Sequence, residues 1–291
     1  MTRHGLSFDV EDWHQLSAIR AAGRPQPVSP KVDDCIARML DLCDEAQVRG
    51  TFFVLGMLAR ARPHLVKAIA ARGHEIASHS TNHELVSGMS RERFASDLRE
   101  SKRMLEDLTG VEVVGFRAPE FSVRSLDNPC FATLVEEGFR YDSSVFPVGG
   151  LRYGIPDAPA TPFELATASG PLVELPLATT AVARWRLPIA GGSHFRLLPT
   201  RLVAWAAERA DRRDQTMVFY FHPYEFSREL LWLDRAYGGG PARNLPIWKH
   251  VALHNLATPR IARSLRTLAR RLELVPLGTL AREHETRKVR A

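Results

Sequence analysis

The sequence predicts an α/β fold made of parallel βαβ units, about seven of them, which suits a barrel slightly short of the full eight. Three observations lead there. Short apolar stretches alternate along the chain with helical patterns of about 10–15 residues. Polar, reactive side chains recur at the ends of those apolar stretches. No Gly/Ser/Pro-rich linker, charge block, internal repeat or low-complexity tract divides the 291 residues, so they read as one domain; α/β barrels often run to roughly 250 residues as a single unit.

Each element has its own signal. Gly5–Val10 reads as a strand whose apolar run ends on the carboxylate of Asp9. Ser29-Pro30 opens a helix, with Ser as N-cap and Pro in the first turn. Val32, Cys35, Ile36, Met39, Leu40 and Cys43 give that helix an apolar stripe, and Gly50 ends it. Thr51–Leu55 is a short buried strand. Pro63 starts a helix that Gly73 stops, and His74–His79 is the next strand. Ser90 caps a helix that turns Phe94, Leu98, Leu105 and Leu108 inward and closes at Gly110. A strand at Val113–Arg117, a helix at Phe131–Glu137 and a short strand near Tyr141-Asp142 follow. The Pro- and Gly-rich stretch 143–199 holds a strand at Leu172–Leu177. A helix at Leu202–Arg209 leads to the strand Met217–Phe221. After a loop rich in Gly and aromatic residues, Thr258-Pro259 caps a basic amphipathic helix, and Leu272–Val275 and a terminal helix finish the chain.

Composition is that of an ordinary globular protein, 45% hydrophobic and 25% charged. The three cysteines are few and unevenly spaced. Cys35 and Cys43 lie eight residues apart on one helix, hence ~12 Å along its axis, too far for a disulfide. They and Cys130 read as buried thiols in a reducing compartment. The N-terminus shows no apolar h-region of about 7–15 residues, and no run approaches the ~18 apolar residues of a membrane span. The expected location is the cytoplasm, with the inner face of the membrane as an extension of that reading. The net charge of +6 owes much to Arg260, Arg263, Arg266, Arg270, Arg271 and the tail Arg287-Lys288-Val289-Arg290. Two readings stand: a solvated helix face with a frayed tail, or contact with an anionic surface such as phospholipid or a lipid-linked diphosphate sugar. Nucleic acid is not expected as a partner, because no recognised motif accompanies the basic residues.

The chemistry lies in where polar residues fall. Asp9, His79, Arg117, Asp142 and His222 each sit at or just past the C-terminal end of an expected strand, and in an α/β barrel those ends converge on the mouth where active sites are built. His79 and His83 are separated as His-Ser-Thr-Asn-His. Two imidazoles four residues apart can face one cation, and a carboxylate completes the two-His-one-carboxylate set of a catalytic zinc or iron site. Taken singly, Arg117 also reads as a salt-bridge partner, Asp142 as a turn residue and His222 as a core histidine.

Together these residues resemble a known family. Ser7-Phe8-Asp9, His79-Ser-Thr-Asn-His83, Phe116-Arg117-Ala118-Pro119, Tyr141-Asp142-Ser143-Ser144 and Phe221-His222-Pro223 match, in order, the five motifs of the polysaccharide deacetylases, the NodB-homology proteins of carbohydrate esterase family four. The core motifs span 6–223, and 224–291 reads as a C-terminal extension completing the barrel. Gly191–Pro199 and His222–Phe226 resemble the branch associated with bacterial exopolysaccharide loci. The resemblance implies a distorted (β/α) barrel with one divalent ion, zinc first, with cobalt, manganese, nickel or iron as alternatives. It also implies roles: Asp9 as general base, Arg117 orienting Asp9, His222 as general acid, and Asp142 holding the charge and orientation of His222.

Two departures stand out. The family pattern has two adjacent aspartates, base then metal ligand, but Val10 follows Asp9 here. Side chains alternate along a strand, so Val10 points away and Glu11 returns to the Asp9 side. Glu11 is therefore expected as the third ligand, with Asp12 the alternative if the chain turns early. The family's Trp near the fourth motif is absent, and Phe146 is expected to supply that apolar wall. Trp13, Pro119 and Tyr224 join Phe146 as candidate substrate contacts, with His14, Tyr153, Phe195, Trp232, Tyr237 and Trp248 as further aromatic residues near the motifs. The implied reaction is metal-dependent removal of an N-acetyl group from an amino sugar in a glycan or lipid-linked precursor. Hydrolysis of another amide (an N-formyl sugar or a cyclic ureide) and a non-catalytic glycan-binding role are the alternatives. The sugar and the oligomeric state stay open.

Overall fold

The computed structural model describes residues 2–15, 28–150, 153–182, 185–230, 252, 254–256 and 259–290. Its strands are β1 (Arg3–Val10), β2 (Thr51–Val54), β3 (Glu75–Ser78), β4 (Gly115–Phe116), β5 (Tyr141–Asp142), β6 (Phe163–Thr167), β7 (Gly170–Glu174), β8 (Thr179–Val182), β9 (Trp185–Pro188), β10 (Val218–Phe221) and β11 (Glu273–Val275). The helices are α1 (Lys31–Glu45), α2 (Gly56–Ala61), α3 (Pro63–Ala71), α4 (Arg91–Thr109), α5 (Cys130–Glu136), α6 (Ser193–Leu197), α7 (Thr200–Asp211), α8 (Pro259–Arg271) and α9 (Leu277–Arg290).

One curled sheet runs β10-β1-β2-β3-β4-β5-β7-β6, parallel throughout except for the β6–β7 hairpin. Gly5 registers with Val218 of β10 and with Val275 of β11, so β11 lies on the β2 side of β1, ahead of the point where β2 joins at Ser7. The gap between β7 and β10 is spanned by isolated bridges from Leu177 to Val218 and from Gly191 to Tyr220. The result is a single-domain, distorted barrel. The C-terminal extension contributes β11 and the helix that follows it.

Burial of apolar side chains holds this ring together. Phe8, Phe52, Phe219 and Phe221 are fully buried, and Phe8 packs 4.5 Å from Phe52 and 5.9 Å from Phe221 between ring centroids. Each such side chain contributes roughly 1.5–3 kcal/mol. The cap signals hold locally. Ser90 Oγ accepts from Arg93 N–H, and Gly110 ends α4 at φ 70°. Ser29 Oγ accepts from Lys31 N–H at 3.2 Å, although α1 itself begins at Lys31. The three cysteines are buried and unpaired, and burial pushes the Cys35 thiol up to about 11 and the Cys43 thiol up to about 12.

The sequence reading missed α2, a single helical run straight after β2. It also missed β6 and the separate β8–β9 hairpin in the Pro- and Gly-rich stretch. The expected cap at Thr258 lies outside the described residues. No helix among the described residues is long and apolar enough to cross a membrane.

Candidate active site at the strand ends

The five strand-end residues stand on one rim. Asp9 is the penultimate residue of β1 and Asp142 the last of β5, while His79, Arg117 and His222 each follow β3, β4 and β10 directly. All are buried except His222, whose side chain keeps 14% of its surface exposed.

Arg117 is the hub on one side. Its Nη1 donates to Asp9 Oδ1 at 2.6 Å and to Ser7 Oγ at 2.9 Å. Its Nε and Nη2 donate to the carbonyl and hydroxyl oxygens of Ser143 at 3.0 and 2.8 Å. The guanidinium lies 4.2 Å from the Phe53 ring and 5.8 Å from both Phe121 and Tyr220, so aromatic faces supplement its hydrogen bonds. A fully buried arginine with a fixed fork therefore sets the position of Asp9.

Beside it, Glu11, His79 and His83 place one ligand atom each within 4.8 Å of one another, all three buried. His79 Nδ1 lies 2.8 Å from the Arg117 carbonyl oxygen. A carbonyl only accepts, so Nδ1 carries the proton and Nε2 keeps its lone pair for the cluster. His83 adopts φ 56°, a left-handed conformation that a non-glycine residue holds only where its surroundings impose it. Its Nε2 lies 2.5 Å from Glu11 Oε2. Burial raises the Glu11 carboxyl, but His83, His222 and His79 outweigh it and hold it at about 2. Burial brings His79 down to about 4, partly offset by Asp9. His83 Nδ1, on the far side of that ring, is buried without a hydrogen-bond partner. A buried set of one carboxylate and two imidazoles, with an orphaned ring nitrogen beside it, fits a divalent ion.

His222 approaches this cluster through Glu11. Its Nε2 lies 3.7 Å from Glu11 Oε1 and its Nδ1 3.5 Å from Glu225 Oε2. Pro223–Phe226 forms a 3-10 turn that brings Glu225 back beneath His222. Glu225 also accepts from His222 N–H at 2.9 Å and pairs with Arg196 Nη2 at 2.6 Å. Burial lowers the His222 imidazolium's pKa, but Glu225, Glu11 and Asp9 outweigh it and the net direction is up. Burial likewise raises the Glu225 carboxyl, and Arg196 with His222 brings it down to about 2.

Several expectations need correction. Asp142 does not meet His222. Its Oδ1 accepts from Ser144 Oγ at 2.6 Å, Ser144 Oγ accepts from Ala118 N–H at 2.8 Å, and Asp142 registers beside Glu174 on β7. The fourth motif thus props up Arg117 and Ala118, and the carboxylate beside His222 is that of Glu225. Burial raises both Asp142 and Glu174, Glu174 well above the carboxylate range. Asp12 is turned from the cluster, because its two oxygens accept from Trp13 N–H at 2.8 Å and Ser29 N–H at 2.5 Å. Trp13, Pro119, Phe146 and Tyr224 are all buried, since apolar rings at strand ends close onto the core. Tyr224 stacks on His222 at 4.9 Å, and Phe146 stacks on Tyr153 at 5.7 Å. Trp232, Tyr237 and Trp248 lie outside the described residues. Glu225 and Arg196 were missed. A carboxylate three residues after a strand-end histidine was a readable sign for Glu225, and only an arginine inside the apolar run Phe195–Leu198 pointed to Arg196.

Known proteins agree with this picture in part. Residues 25–126 match the family model described as polysaccharide deacetylase, and residues 143–270 match a domain of unknown function, DUF3473. The chain is 29% identical over 136 residues to a peptidoglycan-N-acetylglucosamine deacetylase of Bacillus cereus, covering 46% of this chain and 59% of that protein. It is 33% identical over 106 residues to a chitooligosaccharide deacetylase of Sinorhizobium fredii, covering 36% and 42%. The chain thus spans about half the length of these curated relatives. A crystal structure from Mycobacterium smegmatis, of a protein assigned as a polysaccharide deacetylase, superposes with a TM-score of 0.64 at 21% identity over 99% of this chain and 91% of that one. One from Pseudomonas aeruginosa, assigned likewise, gives 0.59 at 15% over 96% and 89%. These two establish the fold, and over residues 25–126 the chain is similar to the polysaccharide deacetylases.

Proposed function

We propose that this chain hydrolyses the N-acetyl group of an amino sugar in a glycan or lipid-linked glycan precursor. One divalent ion, zinc first, would be held by Glu11, His79 and His83. The observation that carries the reading is a carboxylate clamped by arginine, Asp9, and a partly exposed imidazole, His222, both at strand ends beside that buried three-ligand cluster. A divalent ion there supplies electrophilic polarisation of water and of the amide carbonyl.

The protein's own groups move the protons. Asp9, fixed through Oδ1 by Arg117, takes the proton from the attacking water. Oxygen bonds to the acyl carbon, the C–N bond breaks, and His222 Nε2 gives its proton to the departing sugar nitrogen. Water is consumed, and acetate and the free amine leave. The segments Gly191–Pro199 and His222–Phe226 support the branch associated with bacterial exopolysaccharide loci.

Acetate release from a panel of N-acetylated oligosaccharides, before and after chelation and zinc add-back, tests the proposal. Chelator-sensitive acetate production supports it. Turnover confined to N-formyl sugars or cyclic ureides would redirect it to another amide, and glycan binding without hydrolysis would make the chain a binding module.

A further inference from the structure

Arg196 and Glu225 are sealed in the segment that matches a domain of unknown function, and the proton transfers above do not use them directly. Arg196 and Glu225 are each only 1% exposed. Removing two charges from water costs several kcal/mol per ion unless geometry returns it, so such a pair is a poor device for stability alone. Its construction is specific. A Cβ at Gly191 would lie 1.8 Å from the Tyr220 carbonyl oxygen, so only glycine lets the chain press against β10 there. Phe195, in α6, then stacks 5.0 Å from Phe221. These two contacts deliver Arg196 Nη2 to Glu225 Oε1 at 2.6 Å. The second oxygen of Glu225 is left for His222: it accepts from His222 N–H and lies 3.5 Å from Nδ1, a buried nitrogen with no hydrogen bond of its own, which this carboxylate faces. An imidazole held with Nδ1 toward that carboxylate presents Nε2 to Glu11, 3.7 Å away.

We infer that Arg196 and Glu225 are positioning residues for the acid step: Arg196 fixes Glu225, and Glu225 fixes the ring orientation and the Nδ1–H tautomer of His222. The segment of unknown function thereby supplies the whole acid half of the site. This inference rests on the deacetylase reading for its kinetic consequences, while its structural content stands apart from activity.

The test uses the full, zinc-loaded chain. Glu225→Gln should lower kcat on an N-acetylated oligosaccharide about 10–100-fold, the scale seen when a group orienting a site histidine is lost. KM and zinc content should change little. An activated aryl acetate, whose leaving group needs no proton, should lose much less. Arg196→Lys should retain most of the activity. Because Arg196 acts through Glu225, the loss in Arg196→Met with Glu225→Gln should stay close to that of Glu225→Gln alone. If Arg196→Met alone does not fold, the neutral double variant still carries the comparison. Amide activity undiminished in Glu225→Gln, equal losses on amide and ester, or additive losses in the double variant would each overturn the inference. Should the parent chain release no acetate, the deacetylase reading fails, and the ¹⁵N signals of His222 decide instead. An Nδ1–H tautomer in the parent that is lost in Glu225→Met, whose side chain offers no oxygen to accept from Nδ1–H, supports the linkage, and identical tautomers in both refute it.

Discussion

Asp9, Arg117 and Ser143 are tied together across β1, β4 and the end of β5 by contacts of 2.6–3.0 Å, all buried. His222, Glu225 and Arg196 are assembled from a 3-10 turn and a five-residue helix, and the imidazole meets its carboxylates only at 3.5 and 3.7 Å. The base half is thus positioned by parallel strands, whose ladder sets every neighbour. The acid half depends on side chains to hold a more exposed ring. Under the proposed function this difference suits the two tasks: a base at Asp9 would meet a water in a fixed place, whereas an acid at His222 would meet a substrate nitrogen that arrives from solvent.

The largest expected effect lies between the halves. Replacing both His79 and His83 with Ala should abolish metal binding and hydrolysis together, as read by elemental analysis and acetate release. Full metal content in that variant would remove them as ligands. On the base side, Asp9→Asn should keep the metal and lose about 10²–10⁴ in turnover, the range for general base catalysis. Near-normal acetate release by a folded Asp9→Asn chain would take the proton transfer away from Asp9. On the acid side, His222→Ala should slow amide hydrolysis on a similar scale but spare an activated ester, and equal losses on both substrates would erase the contrast.

Val10 sharpens the comparison. It is fully buried in the core, on the side of β1 away from Asp9. Restoring the family's second aspartate with Val10→Asp should therefore bury an unpaired carboxyl and destabilise the fold by about 3–5 kcal/mol, measured by denaturant titration. An unchanged midpoint with tighter metal binding would show that position 10 can turn to the site.

The two halves also differ in how legible they were. Strand ends were readable because hydrophobic runs stop where the rim begins, and five reactive residues at those stops could be assigned to one mouth. A strand-end position fixes the rim but not the partner, which is why Asp142 was matched to His222 when its neighbours are Ser144 and Glu174. Arg196 and the β8–β9 hairpin lie where Pro and Gly obscure any period. Tyr224 looked like a sugar platform because an aromatic residue beside a motif carries no sign of its depth.

The smallest effect concerns α8, which we propose as a weak contact with anionic lipid at the inner membrane face. Arg266 pairs with Glu45, Arg271 with Glu208, and Arg260 donates to the Arg196 carbonyl, so three of the helix's five arginines are engaged within the chain. Sedimentation with acidic vesicles should therefore be modest and vanish as salt rises. Salt-resistant binding would point to a different surface.

We propose that Glu11, one residue further along the chain than the family pattern has its carboxylate ligand, would hold the metal. Calorimetric zinc titration of the metal-free parent, Glu11→Gln and Asp12→Asn chains tests it most directly. The expected result is one site per chain, with affinity largely lost in Glu11→Gln and nearly unchanged in Asp12→Asn. Loss in Asp12→Asn with retention in Glu11→Gln would contradict it.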